Sequence, residues 1–388
     1  MNITSRPSCP CTYDHIINDP NIQTMNQHNY CVIMVGGAGP SFWPLSRSNR
    51  PFPFLAAAGN GKSFLRHTYD RLIGLVPKEN ILVVTLRQYK ALVLEDIPEI
   101  PESNILLEPY GRGTAPCIAL STYTILKRDP EAVVLVAPAD NFIETREGYS
   151  GTLGEAFEYA ASHDALITVG IVPDKPDTNF GYIQAEGGSH AYDAAKPVKI
   201  KTFTEKPDFE LAKVFFESGE FLWNSGIFIW KAQVIREEME RLAPGITSIF
   251  TGWENALGSE NEKLFLEKAY MNLDGISIDY AIMEKTEKGW VYPADFHWAS
   301  ISNWDTASVS LSNNNPDGNA LHLGHQLLFD CKNDILVSSE DDKLVAVSGL
   351  ENYIVINTPD VLMICPRDEA HLKDITSRLG LPEFEEFR

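Results

Sequence analysis

The sequence predicts an α/β fold: a mostly parallel sheet with helices on both faces, followed by a small β-rich C-terminal domain. Three observations carry this reading. Apolar strand-length runs alternate with helix-length segments through the first half of the chain. Those runs are apolar throughout rather than alternating, which suits strands covered on both faces. Beyond the Asn-rich turn at 313–318, short strands recur between turn residues and the long helices stop.

Taken in order, strands are expected at 32–35, 81–85, 105–107, 133–137 and 166–171, with helices between them at 63–75, 87–95, 115–128 and 149–161. The middle of the chain adds strands at 181–185 and 198–204, a helix at 209–218, a short strand at 226–230 and a helix at 233–242. Further helices are expected at 246–257 and 261–269. The C-terminal strands fall at 335–338, 344–347, 353–356 and 361–364, closed by a helix at 369–379. Three regions follow: a polar extension, 1–28, expected to be disordered; a large α/β domain, 29–312; and the β-rich domain, 313–388.

At 388 residues the chain is long enough for a large core. Its formal net charge of −21 argues against binding nucleic acid or an anionic membrane, both of which need a basic face. The first residues lack the apolar centre of a signal peptide, and Met25 is an alternative start. No apolar run reaches membrane-spanning length. The scattered cysteines fit a reducing cytoplasm, with Cys31, Cys117 and Cys365 in apolar runs. Cys9, Cys11 and His15 resemble a metal-site fragment but lack a second ligand pair.

The most informative stretch is 30–55, where the strand Cys31–Val35 runs into Gly36-Gly37-Ala38-Gly39. Bare backbone after a strand suits a phosphate cradle, and it suits an ordinary tight turn equally. The dinucleotide pattern G-x-G-x-x-G fails because Phe42 holds the third glycine position, and Leu86-Arg87 follows the second strand where an acid would be needed. These points disfavour a dehydrogenase.

The word Trp43-Pro44-Leu45-Ser46-Arg47 is more specific. With the preceding loop it resembles the signature of sugar-1-phosphate nucleotidylyltransferases, and among them the mannose-1-phosphate guanylyltransferases. Further words resemble that family in the same order: Glu108 to Pro116 with Arg112 and Thr114, Pro138-Ala139-Asp140, Gly181-Tyr182-Ile183, Glu205-Lys206-Pro207, Trp223-Asn224-Ser225-Gly226 and Ser277-Ile278-Asp279-Tyr280. The resemblance implies a Rossmann-like nucleotidyltransferase sheet. Its reaction joins GTP and mannose-1-phosphate into GDP-mannose with release of pyrophosphate. It further implies nucleotide contacts at Gly36, Gly37, Gly39, Glu108, Arg112 and Thr114, and sugar-phosphate contacts at Gly181, Glu205, Lys206, Asn224 and Asp279. Arg47, Asp140 and Lys206 take the catalytic roles, and Asp140 holds Mg²⁺. Such chemistry forms no covalent enzyme intermediate and rests on neutralising charge.

Set beside the family pattern, the chain departs at charged positions. Ser41 replaces an Arg, Phe52 and Pro53 replace Lys and Gln, Gly113 replaces Asn, and Ser300 replaces the second metal carboxylate. Mg²⁺ binding is then weak or lost unless Ser300 is compensated. Arg47, Arg50, Asp295 and Asp305 are the residues that would have to rescue the site. Two readings follow: a guanylyltransferase with impaired catalysis, or a non-catalytic relative that binds the nucleotide sugar or sugar phosphate. Homo-oligomers and pairing with an active paralogue are both open. Structural alternatives also stand: Asp140 as a cap, Glu205-Lys206 as an exposed pair, Asn224 as a turn residue, and Trp43, Trp223, Trp298 and Trp304 as core or pocket walls.

Overall fold

The computed structural model describes residues 25–37, 40–55, 61–143, 146–194, 196–271, 273–294, 296–311 and 317–388. Most of the N-terminal extension, including Cys9, Cys11 and His15, lies outside the described residues. So do Gly39, Asp295 and the residues at the expected 312/313 boundary.

The main sheet holds β1 (Asn29–Val35), β2 (Ile81–Leu86), β3 (Ile105–Glu108), β4 (Val133–Pro138), β6 (Leu166–Ile171), β7 (Tyr182–Ala185), β8 (Val198–Thr204), β9 (Phe221–Lys231) and β10 (Gly289–Pro293). Their order is β3-β2-β1-β4-β9-β6-β10-β8-β7. Among the described residues, β9 and β8 alone run against the other strands of this sheet. The parallel half, β3-β2-β1-β4, sits at the N-terminal end of the chain as the apolar runs predict. Its strands are covered on both faces, with Val32, Val84 and Val136 in one core and Ile33, Val83 and Leu135 in the other.

Helices α1 (Phe64–Leu72), α2 (Lys90–Asp96), α3 (Thr114–Arg128) and α4 (Arg146–Ser162) supply the crossovers of this half. Ser63 caps α1 by accepting from the Arg66 N–H. Helix α5 (Phe209–Ser218) is capped by Asp208 and ends at Gly219 in the left-handed region. Helix α6 (Ala232–Leu242) leaves β9 directly.

Two expectations are corrected. The single helix at 246–257 is instead α7 (Pro244–Thr247), a 3₁₀ turn and α8 (Trp253–Ala256), because Gly252 at φ +88° breaks the run. The strand expected at 226–230 begins at Phe221, so Trp223 to Gly226 lie inside β9 and Asn224 does not close a turn. Helix α9 (Glu262–Met271) follows as expected.

A small two-stranded sheet went unread in the sequence because each strand is only three residues long. It pairs β5 (Asn141–Ile143) with β11 (Trp298–Ser300). Helix α10 (Trp304–Leu311) then leads to β12 (Ala320–His322), β13 (His325–Phe329), β14 (Ile335–Ser338), β15 (Leu344–Ser348), β16 (Tyr353–Asn357) and β17 (Leu362–Pro366). Strands β12, β14 and β16 stack in parallel and β17 closes them antiparallel, while β13 and β15 form a second parallel pair. Helix α11 (Glu369–Arg378) follows.

A third core joins this unit to the N-terminal loop. It unites Phe42, Trp43, Phe52 and Phe64 with Trp304, Ile335, Ile354 and Ile356. Burying one such side chain is worth about 1.5–3 kcal/mol, so the loop is held to the C-terminal unit rather than left free. Among the described residues, no helix is long and apolar enough to cross a membrane.

Candidate functional site

The carboxyl ends of β1, β3 and β4 open onto a cavity of about 540 Å³. This is where ligands bind in sheets of this kind. Gly36 and Gly37 reach it from β1, Glu108 from β3, Arg112 and Thr114 from the start of α3, and Asp140 from the turn after β4. Asp279 and Ser300 complete it from the far part of the chain.

Backbone packing explains much of this convergence. Gly113 precedes α3 at φ 82° and ψ −178°, a region essentially open only to glycine. A Cβ there would lie 2.5 Å from the carbonyl oxygen of Ile276. That close approach lets the Ala115 N–H donate to the Ile276 carbonyl and the Ile276 N–H to the Arg112 carbonyl. The Thr114 hydroxyl oxygen accepts from the Ile278 N–H at 2.9 Å. The start of α3 is thereby stitched to the segment carrying Asp279.

Among the described residues, three carboxyl groups and one cation line this cavity. Glu108 is buried, its Oε1 has no hydrogen-bond partner among the described residues, and burial pushes its carboxyl up to about 7 against the opposing Tyr270 hydroxyl. Asp140 is half-buried and is pushed up to about 6 by burial, partly offset by its own backbone N–H. Burial also raises the Asp279 carboxyl. The cation is Arg112, whose Nε donates to the Tyr270 carbonyl at 3.4 Å and whose guanidinium lies over the Tyr110 ring. Ser300 sits beside Asp140: β11 pairs Ser300 with Asn141, and the Ile301 N–H donates to the Asp140 carbonyl at 3.0 Å.

A second group of residues joins through Asn224. Its Nδ2 donates to Asp279 Oδ1 at 2.8 Å, and its Oδ1 accepts from the Thr168 hydroxyl at 2.7 Å. Its N–H donates to the Gly181 carbonyl. Gly181 is glycine for a visible reason, since a Cβ would lie 2.5 Å from Glu205 Oε2. That oxygen is buried and has no partner among the described residues. The Glu205 carboxyl is pushed up to about 8, first by burial and then by the Asp279 carboxylate, with Lys206 opposing. Lys206 holds φ at +47°, uncommon for a side-chain-bearing residue, and its Nζ lies 4.0 Å from Glu205 Oε1. Phe180 packs between Trp223 and Trp298, whose indole N–H groups are both buried without partners among the described residues.

The loop that would bring positive charge is directed elsewhere. Phe52 stacks on Phe42 with ring centroids 3.7 Å apart and packs on Phe64 at 4.4 Å, while Trp304 meets Phe42 edge-on. Pro53, its neighbour in the same short turn, faces the cavity. Arg47 is not brought to the cavity: its Nε donates to the Pro44 carbonyl at 2.6 Å and its Nη2 to Asp360 at 3.0 Å. Arg50 pairs with Glu95, and Asp305 pairs with Arg367. Each of these described rescue residues is therefore engaged by another partner, and none lines the cavity.

Sequence reading missed Thr168, Tyr270 and Glu284. Thr168 is a fully buried hydroxyl within an otherwise apolar strand, and that contrast was the available signal. Tyr270 and Glu284, whose carboxylate accepts from the Glu205 N–H at 2.8 Å, carry no sequence signal because only the tertiary fold brings them in.

The comparisons agree with this architecture. The family model "Nucleotidyl transferase" matches residues 30–290, and "MannoseP isomerase/GMP-like beta-helix domain" matches 324–379. The chain is 33% identical to mannose-1-phosphate guanylyltransferase 2 of Escherichia coli O157:H7, covering 92% of this chain and 74% of that protein. It is 32% identical to the xanthan biosynthesis protein XanB of Xanthomonas campestris pv. campestris, covering 90% of this chain and 72% of that one. A crystal structure of a mannose-1-phosphate geranyltransferase from Thermus thermophilus superposes with a TM-score of 0.78 at 30% identity, covering 91% of this chain and all of that one.

Proposed function

The chain belongs to the mannose-1-phosphate guanylyltransferase family, and we propose that it binds the family's nucleotide sugar and sugar phosphate while guanylyl transfer is impaired or lost. One observation carries the reading. The loop that would face a triphosphate places Phe52 in an aromatic stack and ties Arg47 and Arg50 to other partners. In the family reaction a phosphate oxygen of mannose-1-phosphate attacks the α-phosphorus of GTP, and the bond to pyrophosphate breaks. That step needs positive charge on the leaving phosphates. Here Arg112 stands among three carboxyl groups.

The family reaction uses a divalent ion such as Mg²⁺, and the residues present fit one poorly. Asp140 and the Ser300 hydroxyl offer one carboxylate beside a neutral donor, and no cluster of three His, Cys, Asp or Glu side chains occurs among the described residues. No step is therefore routed through the ion. Losing one well-placed charge-stabilising group costs on the order of 10²–10³ in rate, and such losses are not additive. The set lost here is expected to cost about 10⁴-fold. Glu108 supports a purine ligand, since its buried unpartnered oxygen suits the imide and amino donors of guanine. The partner class in this reading is a second copy or an active family member, and the compartment is the cytoplasm.

With GTP, mannose-1-phosphate and Mg²⁺, pyrophosphate release is expected about 10⁴-fold below that of an intact relative assayed beside it. Calorimetry is expected to show GDP-mannose binding at least about tenfold tighter than GTP, whose denser charge the cavity does not match. Pyrophosphate release at the relative's rate overturns the proposal.

The Glu205 carboxyl gives a pH signature. Below about 8 it is neutral and leaves Lys206 free for a phosphate; above, it places a negative charge beside that phosphate. Affinity for mannose-1-phosphate should fall as pH rises from 7 to 9, and Glu205→Gln should flatten that fall. The folded chain also holds a proton that the unfolded chain loses near pH 4.5, so this group's stabilising contribution declines between about 4.5 and 8. An affinity independent of pH in both proteins would show that Glu205 does not face the phosphate.

A further inference from the structure

A second cavity, of about 480 Å³, lies between the aromatic loop and the C-terminal unit. It shares no lining residue with the first. Phe42 and Phe52 wall one side, Trp304 and Ala307 of α10 another, and Val337 of β14 a third. Its volume and its mostly apolar wall with a few polar groups at one end are those of small-molecule sites. Ser339 and Asp341 at its rim are exposed, so the space opens to solvent at that end and a small ligand can enter it.

The polar end identifies the chemistry. His322, Ser339 and Asp341 line it, and their side chains make no hydrogen bond or ion pair among the described residues. Asp341 belongs to the acidic turn Glu340-Asp341-Asp342. Lys343 neutralises Glu340 at 2.8 Å, and Asn357 also holds that carboxylate, while Asp341 has no cation partner among the described residues. Gly324 closes in from the other side, where a Cβ would collide with the Asp341 carbonyl. The walls add to the preference, because aromatic faces attract cations.

We propose that this cavity is a ligand site for a small amphipathic ammonium compound, its ring-sized apolar body among Phe52, Trp304 and Val337 and its cationic head on Asp341. The site is independent of guanylyl transfer and stands whether or not the first cavity is active.

The probes are 2-phenylethylamine, 2-phenylethanol and 3-phenylpropionate, which share one body and differ in the head. They are titrated calorimetrically into the full chain, with tryptophan emission as a second readout of the Trp304 wall. The amine is expected to bind about tenfold tighter than the alcohol, with the carboxylate weakest. Asp341→Asn should remove the amine's advantage and leave alcohol binding unchanged. Ala307→Phe, which fills the cavity, should abolish binding of both; Val337→Phe serves the same purpose if that variant melts early. No saturable binding at millimolar probe, equal affinity for the three heads, or binding undisturbed by the filling substitutions overturns the proposal.

Discussion

Phe52→Lys is expected to destabilise the protein by about 3–5 kcal/mol and to leave guanylyl transfer unrestored. The substitution places a lysine where the family pattern has one, so sequence alone would nominate it as a repair. The packing around Phe52 leads to the opposite expectation. Phe52 is buried, stacked on Phe42 and packed against Phe64, with Trp304 at the edge of the pair. Lysine in that slot loses the ring contacts and starts an ammonium among Phe42, Phe64 and Trp304, on the wall of the second cavity and not the first. Its backbone N–H, which donates to the Ser46 hydroxyl, fixes where the side chain starts, so the charge has no short route to the first cavity. Phe52→Leu keeps the apolar character and should cost only about 1–2 kcal/mol. Urea unfolding of both variants checks the ordering. A loss below about 1 kcal/mol for the lysine variant would mean that the loop repacks to expose it, and the aromatic stack would then not be what denies the triphosphate its cation. Combined with a change at Phe42, the two effects should not add, because the rings share one contact.

The same residue shows what the sequence made legible. The parallel half of the sheet, α1 to α4 and the placing of the Gly-rich loop, Glu108 and Asp140 just after strand ends follow from local pattern, because buried parallel strands and helix starts write themselves into consecutive residues; Asp279 was marked only by its likeness to a family word. Gly181 and Gly113 were visible only as letters; their reasons, the Glu205 carboxylate and the Ile276 carbonyl, lie far along the chain. The engagement of Arg47 by Asp360 spans 313 positions and has no local signature. Nor does the fusion of the loop to α10 and β14, since an apolar Phe-Pro-Phe says that something is buried and not against what. Charge loss was readable at Ser41, Phe52 and Ser300 one position at a time. That the described rescue residues Arg47, Arg50 and Asp305 are already paired was readable only in three dimensions.

Ser300→Asp should raise affinity for a divalent ion about tenfold or more, the largest gain expected from a single substitution at this site. Two features favour it. Ser300 is held beside the Asp140 turn by the β5–β11 pairing and by the Ile301 N–H on the Asp140 carbonyl, so a carboxylate there starts in the right place. Asp140 is already raised to about 6 by burial, and a second carboxylate nearby raises it further when no metal is bound. A divalent ion relieves both charges at once, and hard oxygen donors of this kind suit Mg²⁺ and Mn²⁺. Ser300→Asn keeps the size without the charge and should bind no better than the natural chain. Mn²⁺ titration followed by paramagnetic resonance reads the difference without requiring turnover. If Ser300→Asp binds Mn²⁺ no better than Ser300→Asn, the two positions do not share a site and the metal half of the family pattern does not map here. If it binds and pyrophosphate release stays at the background, the metal was not the only deficit. The remaining barrier then lies with Ser41 and Phe52, and at Phe52 repairing charge requires first dismantling the aromatic core that joins the loop to the C-terminal unit.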